Sequence, residues 1–188
     1  AGYARFRSSS GVVPAASAVA APRPSATAIT ALPAPEGTKP EAAAAFHAGL
    51  QGLRDAAFES ARLAFVRAEE LDPALAPAPL RLAVMNARIA NQQMDARRDC
   101  ALPPAHRPVD PMQARIANKR RDARRAFRTA QSQRARLTEH DQVLLDALVP
   151  FFQADPPDLK LCEQRLAHAA ERFPEDAEIH YYLAFMRF

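Results

Sequence analysis

Several classes of protein are excluded by what this sequence lacks. Its 188 residues include no tryptophan and only 2 cysteines. Cys100 and Cys162 are too few for a disulfide framework or a four-ligand zinc site. The 5 histidines are scattered, and no pair has the four-residue spacing of a helical metal site. No apolar run approaches the ~18 residues of a membrane-spanning helix. We therefore predict no cofactor, no metal, no membrane span and no catalytic site in this chain.

Glycine is also scarce, with 5 residues against 17 prolines. Much of the remaining length is alanine, leucine, arginine and glutamate, which favour helices. Valine, isoleucine and threonine, which are prominent in sheet proteins, are not prominent here. Hydrophobic residues make up 48% of the chain, enough to build a core. The composition predicts an all-α protein.

The two ends of the chain differ from the middle. Residues 1–40 contain six prolines among alanines and serines and have no apolar periodicity. Such a segment buries too little apolar surface to offset its ordering entropy, so we predict a disordered linker. The chain begins with Ala1 and stops at Phe188 inside an apolar helical pattern. We therefore expect a piece of a longer protein or a processed product.

From residue 41 onward, apolar residues recur at intervals of three and four, as in Phe46, Leu50 and Leu53. This is the spacing of one face of a helix. Asp-Pro turns and proline clusters divide the pattern into segments. The pattern predicts helices at about 42–55, 57–71, 77–94, 112–136, 139–153, 158–172 and 176–188, with a proline-rich loop at 97–111.

Two glycines lie inside the first predicted helix, at Gly49 and Gly52. Glycine in a helix costs about 1 kcal/mol relative to alanine. A glycine at such a position commonly admits a close neighbour, so we predict that the first two helices form a tightly packed antiparallel hairpin.

A small–bulky–small pattern with spacings of four and three occurs three times, at Ala61–Phe65–Ala68, at Ala123–Phe127–Ala130 and, loosely, at Cys162–Leu166–Ala169. Pro73 and Pro174 follow the first and third occurrences. This pattern resembles the tetratricopeptide repeat over roughly residues 42–188. The chain departs from the repeat at Ala135, where a closing proline is expected, and at Pro150, where a small residue is expected.

The resemblance implies that residues 41–188 form a TPR-like repeat domain, a short α-solenoid of stacked hairpins. The groove of such a stack is lined by the first helices and holds a peptide or a partner helix. The function it implies is a protein-protein interaction scaffold. The candidate partner-binding residues are predicted to face solvent on the first helices, and each has the alternative of being a merely solvated polar residue: Gln51, Arg54, Arg81, Arg88, Asn91, Gln142 and Asp146.

Three further segments, 137–148, 155–158 and 72–76, together resemble the tetratricopeptide region that follows some bacterial eukaryotic-like Ser/Thr kinases. This resemblance implies an accessory region of a signalling protein, either cytoplasmic or tethered to a membrane protein. The kinase motifs themselves, a Gly-rich loop, His-Arg-Asp and Asp-Phe-Gly, are absent from the chain. We therefore assign it no kinase activity.

Acidic residues near the start of the fifth predicted helix are explained by a structural role. Thr138 followed by Asp141 resembles a capping box. Glu139, Asp141 and Asp146 are therefore interpreted as residues that cap the helix and stabilise its dipole, rather than as catalytic carboxylates. Cys162 lies on the small-residue face of its helix, so we predict a buried thiol.

Charge is distributed unevenly. Residues 97–136 carry a net charge of +9 and residues 137–188 a net charge of −6. At about 100° per residue, five arginines form a basic stripe on one side of the fourth predicted helix: Arg120, Arg121, Arg124, Arg125 and Arg128. The stripe is a solvated face, a face that meets the acidic helices, or a binding site for nucleic acid or an anionic surface. The first two interpretations are favoured over binding. The stripe has no interleaved aromatic residues, so among partners protein or peptide is favoured over nucleic acid.

Overall fold

The computed structural model describes residues 27–99 and 111–187. For residues 97–99 it describes the backbone but not the side chains. Within these two ranges the structure is helical and contains no strand, which confirms the all-α prediction. The described residues include two short 3-10 turns, at Ile29–Ala31 and Arg134–Arg136. The α-helices are α1 Pro40–Arg54, α2 Phe58–Leu71, α3 Pro77–Asp99, α4 Pro111–Ser132, α5 Glu139–Gln153, α6 Leu159–Arg172 and α7 Ala177–Arg187. None of them is long and apolar enough to cross a membrane.

The predicted loop at 97–111 is wrong at both of its ends. Helix α3 continues to Asp99, since no proline or glycine occurs between Pro79, in its first turn, and that residue. Helix α4 begins at Pro111, where proline is tolerated because the first N–H of a helix has no intrahelical partner. The rest of this loop, 100–110, lies outside the described residues.

Helices that follow one another in the chain mostly pack against one another. Close contacts join α1 to α2, α2 to α3, α3 to α4, α5 to α6 and α6 to α7, while α4 and α5 share a smaller contact. Among the residues that the structure describes, one core cluster includes side chains from each of the helices α1 to α7. The nine residues of the small–bulky–small pattern are all buried in it: Ala61, Phe65, Ala68, Ala123, Phe127, Ala130, Cys162, Leu166 and Ala169.

The first hairpin is as tight as its glycines predict. A Cβ on Gly52 would lie 3.0 Å from the Cα of Ala61, so α1 and α2 approach at backbone distance. A Cβ on Gly49 would lie 2.6 Å from Cδ1 of Phe65, so the neighbour at Gly49 is an aromatic ring. Both glycines are therefore required by packing rather than by backbone conformation.

The predicted disorder of residues 1–40 is wrong for the described part of that segment. The backbone N–H of Thr27 donates to the carbonyl of Glu175 at 2.7 Å, and the N–H of Ala177 donates to the carbonyl of Thr27 at 3.2 Å. Ile29 is buried in the core. This segment connects the α6–α7 turn to α1, and a few such contacts order it without apolar periodicity. Residues 1–26 lie outside the described part of the chain.

Candidate functional site

Arg81 lies buried at the point where α1, α3, α5 and α7 meet. Its side chain is only 1% exposed. Its Nη2 donates to Oδ1 of Asp141 in α5 at 2.8 Å and to Oε2 of Glu178 in α7 at 2.7 Å. Its Nη1 donates to the carbonyl of Pro77 at 3.3 Å. The guanidinium carbon also lies 5.3 Å from the ring centroid of Phe46 in α1. One cation therefore contacts side chains from three other helices.

The polar contacts of Arg81 extend into a cluster of side chains that are buried or nearly so. His140 Nδ1 lies 3.3 Å from Oδ1 of Asp141, and His140 Nε2 lies 3.1 Å from Oδ2 of Asp176. The hydroxyl of Tyr182 donates to Oε1 of Glu178 at 3.1 Å. We call this cluster the Arg81 network; it consists of Arg81, His140, Asp141, Asp176, Glu178 and Tyr182.

Burial and charge compete in setting the pKa values of the network. Burial disfavours the carboxylate of Asp141, but Arg81 and His140 outweigh it and hold the pKa of Asp141 below its usual range. Burial also disfavours the carboxylate of Asp176, but its contact with His140 and the backbone N–H groups of Ile179 and Glu178 together outweigh it and lower the pKa of Asp176. Burial prevails at Glu178 and raises its pKa. Burial also opposes the charged form of His140, but Asp141 and Asp176 raise its pKa to about 10.

The geometry of the network resembles that of a metal site. The ligand atoms of His140, Asp141 and Glu178 lie within 4.8 Å of one another. However, the guanidinium of Arg81 already bonds both carboxylates and fills the position that a cation would take. We therefore interpret the network as a structural element that carries its own cation.

The prediction that Arg81 faces solvent is wrong. Its partners Asp141 and Glu178 are 60 and 97 residues away in sequence, so no local pattern marks the pairing. The cap at Thr138 is confirmed, because its Oγ1 accepts from the N–H of Asp141 at 3.2 Å. The carboxylate of Asp141, in contrast, bonds Arg81 in the core. The side chains of Arg81, Asp141 and Glu178 therefore fill the space that was predicted to be an open groove at this end of the helices.

The raised pKa of His140 makes stability depend on pH. Between the ordinary pKa of 6.5 and about 10, the folded chain keeps a proton that the unfolded chain has lost. The resulting stabilisation is complete below pH 6.5, decreases as the pH rises and is lost above about pH 10. This group alone is expected to lower the free energy of unfolding by up to about 1.4 kcal/mol per pH unit in that window.

The expected pH dependence is measured by urea unfolding of wild type and His140→Gln at several pH values between 7 and 10. The variant should show a flatter profile than wild type. His168, which is exposed, provides the matched control, and His168→Gln should retain the wild-type slope. Equal slopes for wild type and His140→Gln would contradict the assigned charge of His140.

A cleft of about 480 Å³ opens at the other end of the same helices. Its apolar lining includes three phenylalanines, which come from the C-terminal parts of α5 and α7. Its polar rim comes from α3, α4 and the turn after α5. We call it the α3–α5–α7 cleft; its lining includes Ala87, Asn91, Met94, Asp95, Arg120, Ala123, Arg124, Phe151, Phe152, Asp155, Pro157, Leu159, Phe185 and Met186.

The positions of the network and the cleft show the relative direction of α3, α5 and α7. Arg81, Asp141 and Glu178 lie near the N-terminal ends of α3, α5 and α7. The cleft residues of the same three helices lie toward their C-terminal ends. The three helices therefore run in the same direction, joined by a buried cation at one end and separated by the cleft at the other.

Of the predicted partner-binding residues, Asn91 alone is among the residues that line the cleft. Arg88 lies next to this region, with its guanidinium carbon 3.9 Å from the ring centroid of Phe185 and 4.7 Å from that of Phe58. Arg88 is therefore held by aromatic rings and is only partly exposed.

The remaining predicted residues are dispersed over other surfaces. Arg54 is exposed and pairs with the neighbouring Asp55, which also accepts from the side chain of Gln51. Gln142 donates to the carbonyl of Leu137 at 2.9 Å. Asp146 is exposed and pairs with Arg134 at 2.7 Å. The structure does not bring these residues together into one surface.

The basic stripe of α4 is divided by the fold. Arg120 and Arg124 line the cleft, and Arg124 Nη2 lies 3.7 Å from Oδ1 of Asp155. Arg121, Arg125 and Arg128 are exposed. No carboxylate in the described part of the chain lies within 4.0 Å of these three. Binding of nucleic acid or an anionic surface through them stays a prediction.

The aromatic side chains of the cleft were missed as functional candidates. Two adjacent phenylalanines lie near the C-terminal end of α5, where Phe152 is buried and Phe151 is partly exposed. Consecutive residues lie about 100° apart on a helix, so two adjacent phenylalanines do not share the centre of one face. That spacing was the available signal that one ring lies at the edge of the core.

Comparison with protein-family profiles, curated proteins and solved structures found no match to this chain.

Proposed function

We propose that this chain is a protein-protein interaction module that binds a peptide segment of its partner in the α3–α5–α7 cleft. The observation that carries the proposal is an accessible cleft of about 480 Å³ with an aromatic lining. Peptide and ligand sites commonly have this size and combine apolar walls with a few polar groups. The proposed activity is recognition rather than catalysis.

The cleft corresponds to the groove that the tetratricopeptide resemblance implies, but it is shorter. Three of the four first helices of the proposed hairpins, α3, α5 and α7, contribute to it. The Arg81 network fills the N-terminal side of the space between these helices. We therefore place the bound segment at the C-terminal ends alone. The TPR-like solenoid is the arrangement we propose for the hairpins.

A role as the accessory region of a bacterial Ser/Thr kinase is part of the proposal and rests on the sequence resemblance. It predicts that the partner segment belongs to a signalling assembly. The binding proposal does not depend on it, because the cleft is a property of the described residues themselves.

Asn91→Trp is expected to block the cleft. Asn91 lines the cleft and is partly exposed, so an indole at this position occupies the cleft without removing a core side chain. The experiment selects binders from a displayed library of random short peptides on the full chain and measures their affinities by fluorescence anisotropy. Asn91→Trp should weaken the selected peptides by about tenfold or more.

The matched control is Asn118→Trp, which adds the same side chain at an exposed position of α4 that is not part of the cleft lining. This control should bind as wild type does. A library that yields no enriched peptide on the folded chain, or peptides equally sensitive to both substitutions, would refute the proposed function.

A further inference from the structure

The rim of the cleft carries one cation with little to neutralise it. Arg120 Nη2 lies 2.8 Å from Sδ of Met94, and a thioether is only a weak acceptor. None of the carboxylates in the described residues lies within the 4.0 Å ion-pair distance of Arg120. A guanidinium placed at an apolar cleft without a carboxylate is available to an anionic group of a ligand.

A second cation on the same helix has a weak partner. Arg124 lies one turn after Arg120 and pairs with Asp155 at 3.7 Å, where the Asp155 side chain is 83% exposed. A pair this long and this exposed contributes little, so a ligand carboxylate competes with it readily. The other rim carboxylate, Asp95, is engaged in a contact of its own. The rim therefore carries two arginines and two aspartates, and within the described residues Arg120 is the rim arginine that has no carboxylate within ion-pair distance.

The aromatic side chains from α5 that line the cleft are fixed by contacts with neighbouring rings. The ring of Phe152 stacks on that of Phe127, with centroids 4.5 Å apart, and meets the ring of Phe151 edge-on at 4.9 Å. Phe185 and Met186 of α7 form the facing wall. This surface suits an aromatic or large aliphatic side chain, because aromatic pairs gain energy beyond the area that they bury.

From this placement we infer that the cleft selects acidic peptide segments, in which an aromatic or large aliphatic side chain packs on Phe151, Phe152 and Phe185 while a neighbouring Asp or Glu pairs with Arg120 and Arg124. Asn91, on the α3 side, offers an amide to the peptide backbone. This inference rests on the proposed function and names the partner class of the same site.

The test compares two charge reversals with identical spacing on one helix. Arg120→Glu with Arg124→Glu reverses the charge inside the cleft. Arg121→Glu with Arg125→Glu makes the same change on the exposed face of α4. Random short peptides are selected against each folded full-length variant and against wild type. Circular dichroism verifies that the helical content of all three is the same.

Wild type and the Arg121/Arg125 variant should enrich Asp and Glu next to Phe, Tyr, Leu or Met. The Arg120/Arg124 variant should lose this preference, bind the wild-type peptides about tenfold more weakly and favour Lys and Arg. Replacing the acidic residues of a selected peptide by Lys should weaken it on wild type by a similar factor.

The outcomes separate the two proposals. Failure to enrich any peptide on wild type would remove the proposed function and the inference with it. Enrichment of apolar peptides without acidic residues, blocked by Asn91→Trp, would overturn the inference and leave the function standing. Equal losses in the two charge-reversed variants would mean that the acidic preference follows the overall charge of α4, and a loss confined to the Arg121/Arg125 variant would place the acidic partner on the exposed face. Either result would overturn the inference.

Discussion

Replacing Arg81 by methionine is expected to lower the free energy of unfolding by about 3–5 kcal/mol, as removal of one partner from a buried ion cluster commonly does. Asp141 and Glu178 both accept from Nη2 of Arg81 and are both buried. Without the guanidinium, two carboxylates remain in the core with His140 as the nearest described cation. The measurement is chemical denaturation of the full chain at neutral pH.

Two companion variants make this result interpretable. Arg54→Met makes the same change at an exposed arginine of α1 and should alter stability by no more than about 0.5 kcal/mol. Adding Asp141→Asn and Glu178→Gln to Arg81→Met should recover part of the loss, because the buried negative charge is then removed. A loss below about 1 kcal/mol for Arg81→Met would mean that the network is hydrated rather than buried.

Phe65→Ala is also expected to lower the free energy of unfolding strongly, by about 3–5 kcal/mol. The ring of Phe65 is fully buried between α1 and α2, with its centroid 5.8 Å from that of Phe46. It also fills the space left by the missing side chain of Gly49. Its removal leaves a cavity in the closely packed α1–α2 hairpin. Denaturant unfolding of the full chain measures the loss.

Leu63 provides the control in the same helix, since its side chain is 55% exposed. Leu63→Ala should cost no more than about 0.5 kcal/mol. If the two substitutions cost the same, or Phe65→Ala costs under about 1 kcal/mol, the assigned packing face of α2 would be wrong.

The helices could be predicted from the sequence because their signals are local. Apolar spacing of three and four located all seven, and Thr138 marked the start of α5 through a hydrogen bond that spans three residues. Gly52 predicted a close backbone approach, and the structure supplies it at Ala61. Each of these inferences needs only residues within one helix or one hairpin.

The candidate site could not be predicted in the same way, because it depends on contacts between distant segments. Arg81 was interpreted as a solvent-facing groove residue because its helix position alone does not reveal Asp141 and Glu178 as partners. Thr27 is ordered by the backbone of Glu175 and Ala177, which no composition argument detects. Arg120 and Arg121 are adjacent in one stripe, yet only Arg120 faces the cleft.

The most direct test of the cleft as a peptide-binding site uses the four methionines of the chain as NMR probes. Met94 and Met186 line the cleft, whereas Met85 is fully buried in the core and Met112 lies in the first turn of α4, outside the lining. On titration of the full chain with a selected acidic peptide, the methyl signals of Met94 and Met186 should move together and saturate. The signals of Met85 and Met112 should stay in place. Saturable binding that leaves the methyl signals of Met94 and Met186 in place would contradict peptide binding in the cleft.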